Sequence, residues 1–440
     1  MKAKHAVTPS NRAGGANPVL ECLPANKGGA DLSGDKPPEP KQQPHRSISD
    51  VVANRVCCGC GACTVACSVS AIRFVYGARF NFPEVDGNLC NNCGKCRKVC
   101  PSLFLMHGSN PGFPADPPPP LECLLAHHVD DSLRWDAASG GFITGLALHL
   151  LETKEVDGVV VARCEGANPL VAESFIAHDR ASLLSARGSK YAPVSSCTVL
   201  GDIMEQPGRY AFVGTPCMIE GLVRLQELFP KLRERVVLTI GFVCAGMASR
   251  LSTRNYLEQD GKVNASEARR IVYRGGGWPG RFRVFGKADK LLMDRPLIGG
   301  SLRHVVGVDH YLRCENCLDH WSRFADLVVS DPWSADHLER ETKGESAVLI
   351  RSARGQARVA AAVAAGALWA KPIPTEDMIG FNRHLWLRPE HERFSWMALY
   401  QLLFHKRLRF LPEIARRFFL AKLVGLRTTL RARFIKKYYY

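Results

Sequence analysis

Eight cysteines fall in two runs of one spacing. Cys57, Cys60, Cys63 and Cys67 form the first run, and Cys90, Cys93, Cys96 and Cys100, followed by Pro101, form the second. Both read CxxCxxCxxxC, and each matching pair is offset by 33 residues. Three thiolates at three-residue steps wrap three corners of one 4Fe–4S cubane. The fourth, after a longer step, starts a helix pointing away and ligates the other cluster. The spacing therefore predicts one cluster on Cys57, Cys60, Cys63 and Cys100, and a second on Cys90, Cys93, Cys96 and Cys67. Gly59, Gly61 and Gly94 let backbone amides approach the inorganic sulfides. Zinc fits poorly, because zinc sites pair CxxC units across longer loops. Cys58 reads as a bystander, and Ser68 stands where the second run has Pro101.

Nine of the seventeen cysteines lie outside these runs. Cys217 follows a strand candidate in GTPC, Cys244 ends one in GFVCAG, and Cys314 and Cys317 form a CxxC before ADLVVSD. Together they could close a third four-cysteine site. Cys217 and Cys244 read equally well as small buried hydrophobes. Clusters carry single electrons, whereas most organic reductions need two, so a flavin is expected to convert between them. Neither GxGxxG after a strand nor GxxxxGK[ST] occurs. The phosphate-cradle candidates are weaker: Ser139-Gly140-Gly141 at a helix start, the polar loop Arg187-Gly188-Ser189-Lys190-Tyr191, the turn Gly214-Thr215-Pro216, and a flexible loop from Arg274 to Gly280 carrying a cation and Trp278. Each has a plain alternative: Ser139 as a helix cap, Lys190 as a surface lysine, the glycines as a long turn, Trp278 as core filling.

The rest of the chain must position these residues. At 440 residues, 46% hydrophobic and 23% charged, it is globular with two or three domains. No apolar run approaches a bilayer span, and MKAKHAVTPSNRAGG lacks the apolar core of a secretory signal. A cytoplasmic location is expected, where so many cysteines point to metal or redox work. The net charge is +16, but residues 404–440 hold eleven Lys and Arg against Glu413 alone, which supplies +10. The basic balance is thus local and does not imply nucleic-acid binding. That tail suits a peripheral contact with anionic lipid or an acidic partner. Residues 1–50 read as a disordered leader, 51–107 as the cysteine block, and 108–121 as a Pro-rich linker. Strands are expected within 156–163, 209–214, 236–244, 325–331 and 347–352, with helices over 140–151 and 357–368. The fold class is a two-cluster ferredoxin fold followed by a mixed α/β flavin domain in two parts, 122–200 and 201–390, then a basic tail, 391–440.

The stretches SGGFITGLALHLLE, VDGVVVA, RGSKYAP, FVGTPCMIEGL, IGFVCAG, YRGGGWPG, CENCLDHWSRFADLVVSDPW and GESAVLIRSARG resemble, in order and spacing, the beta subunit of coenzyme F-420-reducing hydrogenases and dehydrogenases. That family includes 7-hydroxymethyl chlorophyll a reductase and a ferredoxin-dependent divinyl reductase. With the ferredoxin block, the likeness covers roughly residues 52–375. It implies FAD lined by Ser139, Gly140, Gly141, Ser189, Lys190, Tyr191 and Thr215, and a 4Fe–4S cluster beside it on Cys217, Cys244, Cys314 and Cys317. Met218 stands where relatives commonly carry Gln, and Ser330-Asp331 replaces Gly-Asp.

The combined reading is an iron–sulfur flavoprotein oxidoreductase. A ferredoxin-like donor feeds the clusters, and FAD serves a small organic acceptor, whether a deazaflavin, a tetrapyrrole or another metabolite. Lys190 would stabilise negative charge, Arg274 and Trp278 would cover the substrate face, and His320, Tyr191 and Asp331 are alternative proton donors. The runner-up is a non-catalytic electron-transfer subunit of a larger complex, docked at a membrane surface by its tail. A homo-oligomer fits either reading.

Overall fold

In the computed structural model, residues 47–103, 119–301, 309–315, 317 and 319–385 are described. The expected leader up to residue 46, most of the linker and the basic tail lie outside them. Two antiparallel strands, β1 (Ile72–Tyr76) and β2 (Asn81–Val85), separate the two cysteine runs. Short helices Ala62–Val65 and Lys95–Lys98 each hold the third cysteine of a run, again 33 residues apart. The duplication extends to the backbone. Gly61 and Gly94, which cap these helices, both take positive φ, and so do the matching Gly59 and Asn92. Each run therefore turns through the same left-handed positions, where glycine carries no steric penalty and asparagine little.

The larger layer is an eight-stranded mixed sheet. Its strands are β3 (Glu122–His128), β4 (Gly158–Arg163), β5 (Glu173–Ala177), β6 (Tyr210–Gly214), β7 (Val236–Phe242), β11 (Leu327–Ser330), β12 (Ser346–Ile350) and β13 (Leu368–Pro372). A separate antiparallel sheet, β8 (Arg270–Val272), β9 (Arg281–Phe285) and β10 (Leu291–Pro296), is inserted between β7 and β11. The large sheet runs β13-β3-β12-β11-β7-β6-β4-β5. The central four, β11-β7-β6-β4, are parallel, and the remaining pairings are antiparallel. Central strands such as β12 (SAVLI) are buried at every position, as strands covered on both faces must be. The edge strand β13 ends in Pro372 and carries Lys371, residues suited to an unpaired edge.

Every expected strand is present, with ends shifted by no more than two residues. The helix Phe142–Glu152 buries Phe142, Leu146 and Leu150 on one stripe, each worth about 1.5–3 kcal/mol when fully buried. The Ala-rich helix is Ala353–Ala364, not 357–368: Ser352 caps it, and Gly366 at φ 71 stops it before β13. Among the described residues, no helix is long and apolar enough to cross a membrane.

Candidate functional site

The two cysteine runs build two cavities. One is lined by Cys57, Cys58, Cys60, Cys63 and Cys100, with Phe74 and Pro83 from the hairpin. The other is lined by Cys67, Cys90, Cys93 and Cys96, with Ile72 and Val85. Each holds about 310 Å3 of empty space, its opening included. Phe74 pairs with Pro83 and Ile72 with Val85 across the hairpin, so one face of β1–β2 closes both cavities. The crossed grouping expected from spacing is the grouping found: Cys100 joins the first run and Cys67 joins the second. Burial, then the neighbouring Cys57 and Cys100, push the Cys63 thiol up. Burial pushes Cys100 up to about 12. Such thiols deprotonate only when a strongly cationic centre compensates. Among the described residues, no three metal-ligating side chains converge closely enough for a single ion. The cysteines ring a space instead of meeting at a point, and that shape fits a cluster.

The carboxyl ends of the parallel strands gather the second set. After β6 come Thr215, Pro216 and Cys217; after β7, Val243 and Cys244; after β11, Asp331. Open α/β sheets place ligands at this end. Pro216 is the first residue of the helix Pro216–Leu228, but Thr215 does not cap it: its hydroxyl lies 3.2 Å from Cys217 Sγ. Cys244 N donates to His320 O at 2.9 Å, while His320 Nδ1 lies 2.7 Å from Cys244 O. Met247 N donates to Cys314 Sγ at 3.4 Å. Burial raises the Cys314 thiol, followed by the charges of Cys244 and Cys317, and Cys217 also feels Cys314. Cys314 thus lies within electrostatic reach of the other three cysteines of the expected third group.

Cys58 is the residue the spacing passed over. It is 4% exposed and lines the first cavity, and interaction with Cys217 and then with Cys60 holds its thiol below the ordinary value. It links the first cavity to the third group. Cys197 was likewise unmarked, yet its N donates to Cys60 O at 3.0 Å. Asn81 ties the block further: its side chain donates to Ser195 Oγ at 2.7 Å, and its N donates to Tyr311 OH at 2.8 Å. None of these carries a spacing signature; they are contacts between segments more than a hundred residues apart in sequence.

The cradle candidates divide. Ser139 Oγ donates to Glu345 O at 2.5 Å, and Gly140 N to Ser346 Oγ at 3.1 Å. A Cβ on Gly140 would stand 2.7 Å from Ala126 O and Ser346 N, so protein fills that space. Gly141, at φ 73, opens the helix Phe142–Glu152 with no side-chain cap. Lys190 Nζ donates to Ala186 O, to Gly188 O at 2.9 Å and to Arg187 O at 3.1 Å; burial brings its pKa down to about 8. The loop Arg274–Gly280 is expected to be flexible but is pinned: Gly276 and Gly277 donate to Trp135 O at 3.0 and 2.8 Å, and Trp278 N to Thr342 O at 2.6 Å. A Cβ on Gly188 would lie 3.2 Å from Arg274 O, so this loop lies directly against the Arg187–Tyr191 loop.

At that junction Arg274 grips Asp331 with two bonds, of 2.6 and 3.0 Å, and Trp278 Nε1 donates to Asp331 Oδ1 at 3.3 Å. Arg274 is 2% and Trp278 5% exposed, so both face inward onto Asp331. Burial raises the Tyr191 phenol, and Arg274 lies within its electrostatic reach. Ser330 Oγ is buried with no hydrogen-bond partner among the described residues. A flavin therefore fits in part: Ser330 and the uncapped amides at Gly141 have room for it in their bonding, whereas Arg274 is engaged by Asp331 and Pro279 O, and Ser139, Gly140 and Lys190 by the protein's own groups.

Two family descriptions match the chain. Residues 123–201 match the amino-terminal part of the coenzyme F420 hydrogenase/dehydrogenase beta subunit, and residues 208–376 match its carboxy-terminal part. The chain is similar to an F(420)H(2) dehydrogenase subunit of Methanosarcina mazei, 25% identical over 324 residues that span 70% of this chain and 83% of that one. It is similar to the beta subunit of coenzyme F420 hydrogenase of Methanococcus voltae, 25% identical over 57% of this chain and 84% of the relative. It also resembles 26% of coenzyme F420-dependent sulfite reductase of Methanocaldococcus jannaschii, at 27% identity over 41% of this chain. In fold it is similar to a chain of the F420-reducing NiFe hydrogenase complex from Methanosarcina barkeri, with a TM-score of 0.50 at 23% identity, covering 68% of this chain and 95% of that chain.

Proposed function

Because this chain belongs to the family of coenzyme F420 hydrogenase/dehydrogenase beta subunits, whose members are oxidoreductases, we propose that it is an iron–sulfur flavoprotein relaying electrons between a redox-protein donor and a deazaflavin. The observation that carries this reading is the pair of cavities ringed by crossed cysteine sets. Cys57, Cys60, Cys63 and Cys100 would hold one cluster, Cys67, Cys90, Cys93 and Cys96 a second, and Cys217, Cys244, Cys314 and Cys317 a third. The order of the groups, with Cys58 bridging the first to the third, is the order of a wire that ends at the sheet.

FAD, when bound, would interconvert one- and two-electron transfer. The chain's own residues have separate tasks. Arg274 and Trp278 hold Asp331 in one orientation. Lys190 closes the carbonyls at Ala186–Gly188 and so fixes the loop that carries Ser189 and Tyr191. Tyr191 Oη, kept protonated by burial and placed beside Arg274, is the group that holds a proton at the acceptor end. Thr215 and Gly141 border the same end.

The names of the relatives favour a second reading: two are subunits of larger enzymes. In that case the chain passes electrons to a catalytic partner. Anaerobically purified protein separates the readings. About twelve irons with one FAD per chain, and reduction of coenzyme F420 by the chain with a reduced ferredoxin as the electron source and no further subunit, support the flavoenzyme. A full complement of iron with no turnover until a partner is added supports the subunit. About eight irons and no flavin sink the flavoenzyme as stated.

A further inference from the structure

We propose that the open rim of the Cys90 cavity, with Cys93 at its edge, is the face on which an acidic one-electron carrier protein docks. The inference rests on the reading above that this run holds a cluster and that a redox protein supplies its electrons. The duplication of the two runs carries it. Cys60 and Cys93 occupy matching positions, 33 residues apart. Cys60 is 7% exposed, because the chain itself covers it. A Cβ on Gly221, in the helix Pro216–Leu228, would stand 3.5 Å from Cys60 Sγ, and a Cβ on Gly61 would stand 2.5 Å from Thr198 Cγ2. Gly59 lies so close to Tyr311 that a Cβ there would meet its hydroxyl, whereas the matching Asn92 is exposed. The face that seats the first run against the rest of the chain is therefore left open on the second. Among the described residues Cys93 is the one exposed cysteine, and it lines the cavity.

The chemistry of that rim selects the partner. Val69 lines the cavity and is 38% exposed, and Leu89, directly before Cys90, is 55% exposed. Two exposed apolar side chains supply the core of a small contact. Between Val85 and Cys100, Lys95, Arg97 and Lys98 stand against Asp86 alone. Arg97 is engaged by Asp50 at 2.5 Å and by Ser47 O at 3.1 Å. Lys95 and Lys98 make no ion pair among the described residues, so theirs are the charges offered to a partner. They lie three residues apart on the short helix that holds Cys96, where side chains are neighbours. A basic rim around a little apolar surface suits the small contacts of electron carriers. Lysines there speed the encounter with an anionic protein more than they tighten the complex. On contact the carrier loses one electron and the cluster gains it, becoming one unit more negative; no bond forms or breaks and no proton moves.

The test uses the full chain, purified anaerobically, as wild type, Lys95→Glu/Lys98→Glu and a control, Lys287→Glu/Lys290→Glu, whose two lysines are exposed beside the inserted sheet. Iron is counted and the clusters are identified by EPR. Their reduction by a reduced acidic ferredoxin is followed by stopped flow at low and high salt, beside reduction by methyl viologen radical. Lys95→Glu/Lys98→Glu is expected to slow the ferredoxin reaction about tenfold or more at low salt and to remove most of its salt dependence. The viologen reaction should be as fast as in wild type or faster. A wild-type ferredoxin rate in the iron-replete variant overturns the proposal. So does an equal slowing in the control, which makes net charge the cause, and so does a slowing shared by the viologen, which means that the cluster itself is altered. A wild-type rate indifferent to salt also overturns it; that is the result expected if another segment of this chain or a second copy covers the rim. If the wild type holds no cluster in the Cys90 run, the reading above has failed separately. Calorimetric binding of the oxidised ferredoxin at low salt then decides: binding lost in Lys95→Glu/Lys98→Glu upholds the docking face, and binding retained ends it.

Discussion

Arg274 and Asp331 meet as a buried two-bond ion pair, with Nη1–Oδ2 at 2.6 Å and Nη2–Oδ1 at 3.0 Å, and only 2% and 17% of their side chains exposed. The two residues lie on different sheets of the fold, in the loop between β8 and β9 and at the end of β11. Arg274→Ala leaves the carboxylate buried without its partner, a loss of about 3–5 kcal/mol. Arg274→Lys keeps the charge but not the planar fork and should fall between. Thermal unfolding measures both; an alanine variant as stable as wild type would refute the pairing.

Cys100 and Cys67 offer a test of the crossed cavities. Cys100→Ser should abolish the EPR signal of the Cys57 group and leave that of the Cys90 group. Cys67→Ser should do the reverse. If Cys100→Ser and Cys96→Ser remove the same signal, each run serves its own cluster and the cavity assignment is wrong.

Cys164 directly follows β4 and is buried, which pushes its thiol up to about 12. Native protein at pH 8 should therefore resist iodoacetamide at this position, because the thiolate is the nucleophile. The sign for stability follows. The folded state keeps a proton that an unfolded thiol, with a pKa of about 8.5, gives up. The stabilisation is complete below about pH 8.5 and is lost as pH rises toward 12. Peptide mapping after labelling in the presence and absence of denaturant reads the protection directly.

Gly221 brings the helix Pro216–Leu228 against the cysteine block. A Cβ there would stand 3.2 Å from Ala62 Cβ, 3.3 Å from Cys197 Sγ and 3.5 Å from Cys60 Sγ. Alanine should be tolerated after a small shift. Gly221→Val places further methyls in filled space, costing about 1–3 kcal/mol, and displaces the Cys60 loop. A lower melting temperature together with an altered EPR line shape for the Cys57 cluster is the expected pair of results; valine without effect on either would show that the block and helix are loosely apposed.

Much of this was legible in the residues themselves. The cysteine runs specify their own grouping, because a three-residue step and a following helix admit few ways to enclose a cubane. The central strands announce themselves as continuous apolar runs, since strands covered on both faces need no alternation. Less was legible at the edges. The strand β3 (ECLLAHH) has too few β-branched residues to stand out, and it becomes a strand by pairing with β12 and β13. The three strands of the inserted sheet each carry arginine and were not anticipated.

The sequence alone determined the crossed grouping of the two cysteine runs, the family motifs and the buried central strands of the sheet, because each is encoded by local spacing or local hydrophobicity. Only the tertiary structure decided that Cys58 lines the first cavity, that Cys197 bonds the Cys60 backbone, that Ser139 and Lys190 bond to the protein's own backbone, and that Arg274 closes on Asp331. Those are contacts between distant segments, and their partners are chosen by how the layers pack and by the need to match every buried charge and polar group.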